Sequence, residues 1–464
     1  MSFLGIDLGT GGVRCIIVNE EGFVSSEVQR SLSRLNLSAN PGESEQDAND
    51  WIHTLESALD ELFSEPKNRH ILAVAVDSTS GTVLPVDSDA APLGPALLHN
   101  DMRSINETEL CKDIFDGDCS PSFSLPKILW MNQHLCLPDE VRFLHATDFL
   151  NAWLCGSVDI PTDFTNAMKS GLDLQAKEWP ETLAGMPLPP IVAPGEVIGQ
   201  ISRIHQNRWS LTGSCLLVSG ATDSNAAFYA SGAGKIGDWS TTIGTTLAVK
   251  GISSKRIFDP QGRIYCHRHP DGNWMPGGAS NAGGEILKAE FGDRIEVLEK
   301  EISCNQVHSG LVYPSIRKGE RLPFSDPHFL PFGNKGDFGP NEYFLSCIEG
   351  LAFVEKMTYE LLEELGAEVG NRIFATGGAV ASKLGLQIRA DVLQRSILVP
   401  QYPNSAMGAA ILAAAGYYTK SVGDMSSDLV KVIKTVDPSC LSDERRNVRY
   451  TSFQKLCAEK TIKQ

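Results

Sequence analysis

The chain has 464 residues and a formal net charge of −17, with 42% hydrophobic and 21% charged residues. That length suits two large α/β domains better than one core. The acidic balance argues against nucleic acid or an anionic membrane as a partner, since either calls for a basic face.

The opening Met-Ser-Phe-Leu-Gly-Ile-Asp lacks a basic n-region and meets Asp7 early, so it reads as a strand and not as a signal peptide. Phe3 to Asp7, Val13 to Val18 and Phe23 to Val28 read as antiparallel strands, joined by a Gly9–Gly12 turn and by Asn19-Glu20-Glu21-Gly22. Trp51, Leu55, Leu59 and Leu62 fall at helical spacing and predict a helix over about 47–63. Ile71 to Val76 is a buried strand ending in Asp77-Ser78-Thr79-Ser80-Gly81. Residues 101–215 read as insertions and helices around a sheet. Leu216 to Ser219 is another buried strand, running into Gly220-Ala221-Thr222-Asp223-Ser224. Trp239 to Val249 repeats the opening strand-turn-strand pattern around Ile243-Gly244-Thr245-Thr246. A long helix is expected over 342–365, with Gly366 at its C-terminal cap. Strands at 372–375 and 397–399 flank a helix over 384–394. No run of roughly 18 apolar residues exists, so no membrane span is expected. The 11 cysteines are scattered, odd in number and lack a Cys-x-x-Cys pair. This is the pattern of a reduced, cytoplasmic protein.

The strand-turn-strand unit at Leu8-Gly9-Thr10 recurs at Ile243-Gly244-Thr245. Two such units, each heading a similar half, suggest a duplicated domain with a ligand clamped between the halves.

Four segments carry chemistry. In Asp7-Leu8-Gly9-Thr10-Gly11-Gly12-Val13-Arg14, the glycines let backbone N–H groups converge on a phosphate. Thr10 adds a hydroxyl donor, Arg14 a cation, and Asp7 a hard oxygen ligand for Mg²⁺. An ordinary glycine-rich hairpin would look the same. Two other phosphate motifs fail. Arg14 stands where the third glycine of a dinucleotide fingerprint belongs, and Gly234-Lys235 is followed by Ile236, which breaks a Walker A loop. The second turn, with Gly244, Thr245 and Thr246, offers further N–H and hydroxyl donors, although threonine favours strands in any case. Asp223, at a strand's C-terminal end, has the position of a general base toward a hydroxyl. Capping the following helix is the competing role. Gly377 and Gly378 follow a buried strand and allow a flat ring to lie on the backbone. A plain strand-to-helix turn is again the alternative.

In this order the four segments resemble the FGGY carbohydrate kinase family, within the hexokinase–actin–heat-shock ATPase superfamily. The likeness runs from Gly5 to about Gly416. It implies an α/β fold of two actin-like (ribonuclease H-like) domains with a cleft between them. Residues 1–232 plus 404–464 would carry the sugar site, and 233–403 the nucleotide site. It further implies ATP and Mg²⁺, with Asp7 orienting the metal and Asp223 as base. Gly9, Thr10, Gly11, Gly12, Arg14, Gly244, Thr245, Thr246, Gly283, Gly377 and Gly378 would hold the nucleotide, Gly283 belonging to the stretch Gly277 to Gly284. Candidate sugar contacts are Ser80, Asp101, Arg103, Asn166, Asp223 and Ser224. A hinge closure excluding water is expected of such a protein.

Mainstream xylulokinases carry Gly-Gln-Met-His-Gly where this chain has Asp77-Ser78-Thr79-Ser80-Gly81-Thr82. That loop, with Tyr265-Cys266-His267-Arg268 and Gly278-Ala279-Ser280-Asn281, resembles the xylulokinase-like proteins of plants and cyanobacteria. The subgroup includes D-ribulose kinases, so D-ribulose is the expected acceptor. D-xylulose and polyols (erythritol, ribitol, glycerol) are the alternatives. An actin-like ATPase without sugar transfer and a catalytically silent binder are readings of other classes. The residues leave the oligomeric state open.

Overall fold

The computed structural model describes residues 1–115, 117, 119–304, 306, 308–439 and 444–462. The chain forms two units, one of Met1–Ala230 with Asn404–Val430, the other of Ser231–Pro403 with Lys431–Gln464.

The first unit is built on a six-stranded sheet. Its order is Val197–Gln200, Leu216–Thr222, Ile71–Ser78, Ser2–Gly9, Gly12–Asn19, Val24–Ser31. Every residue of Ile71–Ser78 is buried, as expected of a central strand covered on both faces. Ala48–Ser64 supplies one cover, with Trp51, Leu55, Leu59 and Leu62 in the same core as Leu4, Ile6 and Val74. Ser405–Tyr418 also lies against this sheet; it is rich in small residues and buried almost all round. Its approach is so close that a Cβ on Gly5 would stand 1.9 Å from the Ala406 carbonyl oxygen. Residues between the main strands form a small sheet (Glu45–Gln46, Ala96–Leu97, Val83–Val86, Arg142–His145) and the helices Ser124–His134 and Ala146–Cys155.

The three parallel strands bring their C-terminal ends to one place. Asp7 pairs in register with Asp77, and Leu8 with Ser78. Ala221 and Thr222 pair with Asp77 and Ser78 from the other side. Asp223 is the next residue and begins the helix Asp223–Tyr229.

The second unit carries a seven-stranded sheet. Its order is Tyr265–Arg268, Trp274–Ser280, Leu247–Gly251, Trp239–Ile243, Arg372–Thr376, Ser396–Pro400, Val432–Val436. Trp239–Ile243 is antiparallel to Leu247–Gly251 and parallel to Arg372–Thr376. Ser2–Gly9 is likewise antiparallel to Gly12–Asn19 and parallel to Ile71–Ser78. The repeat read in the sequence is therefore a repeat of topology. The long helix is Pro340–Glu364, and it packs on Lys383–Leu393.

One domain expectation is corrected. Residues 404–430 join the first unit, but the described residues after 430 belong to the second. Val432–Val436 extends the second sheet by pairing with Ser396–Pro400. On Glu444–Ile462, Tyr450, Phe453 and Cys457 enter the core around Tyr313 and Phe353. Arg446 ties that helix to Asp391 at 3.1 Å and to Glu349 at 3.4 Å. The described cysteines are free thiols, and Cys440 lies outside the described residues. Among the described residues, no helix is long and apolar enough to cross a membrane.

Candidate active site

In the first unit, the strand ends assemble three carboxyl groups from distant parts of the chain. Asp77 is fully buried, and neither of its oxygens has a hydrogen-bond partner apart from the neighbouring Asp7 carboxyl. Burial, then the charges of Asp7 and Asp223, push Asp77 well above the usual carboxylate range. Burial therefore favours the protonated form of Asp77, and its carboxyl is hydrogen-bonded to that of Asp7. Burial also pushes Asp7 up, to about 6; the hydrogen bond from Asp77 opposes the rise, Asp223 adds to it, and Arg14 opposes it. Acidic oxygens so poorly supplied with protein donors suit a hard divalent cation such as Mg²⁺. Among the described residues, no group of three or more His, Cys, Asp or Glu is set to hold a metal.

The Gly9–Gly12 turn follows Asp7 directly. Thr10 and Gly11 are exposed. The turn is fixed from behind by Gln46 Nε2 donating to the Thr10 carbonyl (2.9 Å) and Leu32 N donating to the Gly11 carbonyl (3.1 Å). A Cβ on Gly12 would stand 2.2 Å from the Arg30 carbonyl oxygen, whereas one on Gly11 would meet nothing. Arg14 is held laterally, donating to Gln29 (3.1 Å) and lying 3.4 Å from Glu27, while its charge reaches Asp7 and Asp77.

Asp223 is not the helix cap; Thr222 occupies that position. The Asp223 carboxylate is half-buried and accepts the Ser224 N–H at 2.6 Å, and Ser224 itself is exposed. A buried polar network holds the loop from beneath. Thr222 N donates to Thr165 Oγ1 (3.0 Å), and Thr165 in turn donates to Asp163. Asn166 donates to Asp163 (2.6 Å) and Thr147 (3.3 Å), and Thr147 shares a hydrogen bond with Ser78 (2.6 Å). Each buried polar group that is paired here keeps its rotamer, which fixes the loop above it.

Of the predicted sugar contacts, Ser80 and Ser224 lie at the surface of this site. Asp101 is fully buried and engaged by Ser44 N (2.7 Å) and Arg103 (2.9 and 3.0 Å). Arg103 also pairs with Glu45 at 2.7 Å and covers the Trp130 ring. Asn166 is fully buried in the network just described. As placed, Asp101 pairs with Arg103 and Asn166 with Asp163. The sequence reading missed Asp77, Lys127 and Lys169. Lys127 is fully buried and donates to the Gly81 carbonyl (2.7 Å) and the Ser122 carbonyl (3.2 Å). Burial, then the Lys169 charge, depresses Lys127 to about 7.

In the second unit, the three glycine segments converge on a cavity of about 770 Å³. Gly244 and Thr245 form one wall, Gly284 and Glu285 a second, Gly378 and Ala379 a third, with Ile348 and Leu351 as apolar lining. Gly284 N donates to the Gly244 carbonyl at 2.8 Å, which locks the turn against the Gly277–Gly284 stretch. Gly283 is packed so tightly there that a Cβ would lie 2.1 Å from the Thr245 carbonyl oxygen. Gly377 has φ +82, and a Cβ there would stand 2.5 Å from the Ile243 carbonyl oxygen. Only glycine satisfies both demands. Thr242 and Thr376 share a hydrogen bond across the two strands at 2.6 Å. The cavity's size, its flat glycine floor and its apolar walls fit a nucleoside. The sequence reading did not foresee the segment Ile295–Glu301, which contributes Ile295, Glu296, Glu299 and Lys300 to the rim.

Comparison with known proteins agrees with this arrangement. Residues 2–229 match the N-terminal domain of the FGGY family of carbohydrate kinases, and residues 239–417 match its C-terminal domain. The chain therefore belongs to the FGGY family of carbohydrate kinases, whose members are sugar phosphotransferases using ATP with Mg²⁺. It is similar to a xylulose kinase of Staphylococcus epidermidis (27% identical, over 98% of this chain and 96% of that one). A gluconokinase of Bacillus subtilis is 24% identical over 92% of this chain and 90% of that one. Among solved structures, a Brucella ovis kinase described as acting on "xyloylose" superposes with a TM-score of 0.85 at 24% identity, covering 98% of both chains. A Plasmodium falciparum glycerol kinase solved with ADP superposes at 0.83 with 19% identity, over 100% of this chain and 98% of that one. These structural likenesses establish the two-domain actin-like fold.

Proposed function

We propose that this chain transfers the γ-phosphate of ATP to a hydroxyl of a ketopentose, D-ribulose being the leading acceptor. The observation that supports a transferase is the pairing of Asp223 with the Ser78–Gly81 loop at the ends of adjacent parallel strands. A carboxylate braced by Ser224 N and by the network under Thr222 can orient an acceptor hydroxyl and take its proton. Ser80 and Ser224 hydrogen-bond the sugar. Asp7, steadied by the proton of Asp77, orients the metal. Mg²⁺, when bound with ATP, neutralises charge on the transferring phosphoryl group. Backbone N–H groups of Gly9 to Gly12, with the Thr10 hydroxyl, bind phosphate oxygens. Gly244, Thr245, Thr246, Gly283, Gly377 and Gly378 hold the nucleotide in the second unit.

The choice of D-ribulose rests on the Asp77-Ser78-Thr79-Ser80-Gly81 loop, which replaces the methionine–histidine pair expected of a mainstream xylulokinase. D-xylulose is the second reading, favoured by the similarity to xylulose kinases. The deciding assay is ADP release from Mg·ATP with D-ribulose, D-xylulose, D-gluconate, ribitol or glycerol added singly. The highest kcat/KM is expected with D-ribulose. A higher value with D-xylulose overturns that choice, and the absence of stimulation by any acceptor overturns the kinase assignment.

A further inference from the structure

Two lysines beside the Ser78–Gly81 loop have no part in the chemistry above. Lys127 is spent on structure. It rises from the helix Ser124–His134, is sealed from solvent, and divides its donors between the Gly81 and Ser122 carbonyls. Lys169 differs. It lies in the turn Met168–Ser170, whose stem is pinned by Ser170 bonding to His145 Nε2 at 2.9 Å. Its ammonium reaches the Ser80 carbonyl only at 3.5 Å and lies 5.8 Å from the centre of the Phe123 ring. No ion pair among the described residues involves Lys127 or Lys169.

An ammonium carries three donors. Lys169 makes one long hydrogen bond with them, at the residue expected to touch the sugar. Burial depresses Lys169 and the charge of Asp223, the proposed base, opposes the shift. The Ser80 carbonyl that Lys169 touches follows the strand Ile71–Ser78, which pairs in register with the strand leading into Asp223. Burial, then the charges of Lys127 and Lys169, depress His99, and Asp223 opposes them. We infer that Lys169 is a specificity-determining residue of the acceptor site, donating to a hydroxyl or carbonyl oxygen of a neutral polyhydroxy substrate whose reacting hydroxyl lies on Asp223. The inference rests on the proposed function. A neutral acceptor is favoured because Asp223 already answers the lysine's charge; the ammonium lacks acceptor oxygens, not a counter-anion.

The test compares wild type with Lys169→Met and Lys169→Arg by initial rates, varying sugar and ATP separately, and by calorimetric binding of D-ribulose, D-xylulose and D-gluconate. In Lys169→Met the KM for the neutral sugar rises tenfold or more while the KM for ATP stays within twofold. Lys169→Arg recovers part of the loss. An unchanged sugar KM and binding constant in Lys169→Met overturns the inference, as does an equal rise in both KM values, which marks a structural role. Preference of wild type for D-gluconate, lost selectively in Lys169→Met, overturns the neutral-acceptor assignment. Sugar binding without turnover in wild type sinks the kinase reading alone, since the binding constants still judge Lys169. Absence of any sugar binding sinks both.

Discussion

Replacing Lys127 by Met tests whether the wall of the acceptor site is held by a buried cation. The side chain is fully buried, and its pKa is depressed from 10.5 to about 7, first by burial. The unfolded chain therefore binds more protons than the folded one between about 7 and 10.5, and stability rises with pH through that window. Of the full effect of roughly 5 kcal/mol, about a third falls between pH 7 and 8.5. The buried cysteines act in the opposite sense, since Cys15 and Cys215 are pushed above their usual 9, but both proteins share them. Methionine fills nearly the same volume but leaves the Gly81 and Ser122 carbonyls without their donor, at a cost of roughly 1–3 kcal/mol. Urea unfolding followed by tryptophan fluorescence at pH 7.0, 7.5, 8.0 and 8.5 reads both terms. Relative to Lys127→Met, wild type gains stability across the series, and the variant starts lower. Parallel profiles for the two proteins would refute the buried ammonium, because every other titrating group is common to both.

Asp223→Ala lowers sugar phosphorylation by roughly 10²–10⁴-fold, the range for a general base, while Mg·ATP binding measured by calorimetry persists; near-normal turnover removes Asp223 from that role. Gly377→Ala forces a Cβ to within 2.5 Å of the Ile243 carbonyl oxygen at φ +82. It should raise the KM for ATP at least tenfold and leave the affinity for sugar alone within twofold; an unchanged KM for ATP dissociates that turn from the nucleotide. Arg446→Met removes a cation shared by Asp391 and Glu349, both buried. Breaking such a pair costs roughly 3–5 kcal/mol, so the variant melts several degrees lower, and an unchanged melting profile denies the C-terminal helix its place in the second unit.

What the sequence disclosed and what it withheld follow from the range of the interactions. The turns at Gly9–Gly12, Gly244–Thr246 and Gly377–Gly378, and the strand-end positions of Asp7 and Asp223, were legible because a tight turn at a strand end writes its demand into neighbouring residues. The long helix over 340–364 and the strand from 71 were legible from their periodicity and apolar run. Asp77 was visible as a letter but not as a partner, since only the parallel register of Ser2–Gly9 with Ile71–Ser78 sets it beside Asp7. The chain's end was placed with the wrong unit for a related reason. Arg446 carries no local sign that it faces Asp391, 55 residues away. Asp101, Arg103 and Asn166 show how partners are set by the fold: Asp101 is paired with Arg103, and Asn166 with Asp163. The donors most open beside Ser80 come instead from Lys169, 89 residues further on. Residues that bind phosphate are dictated by backbone shape and so repeat as motifs. Residues that choose a sugar are dictated by which side chains the fold leaves unsatisfied, and that is a property of the folded unit alone.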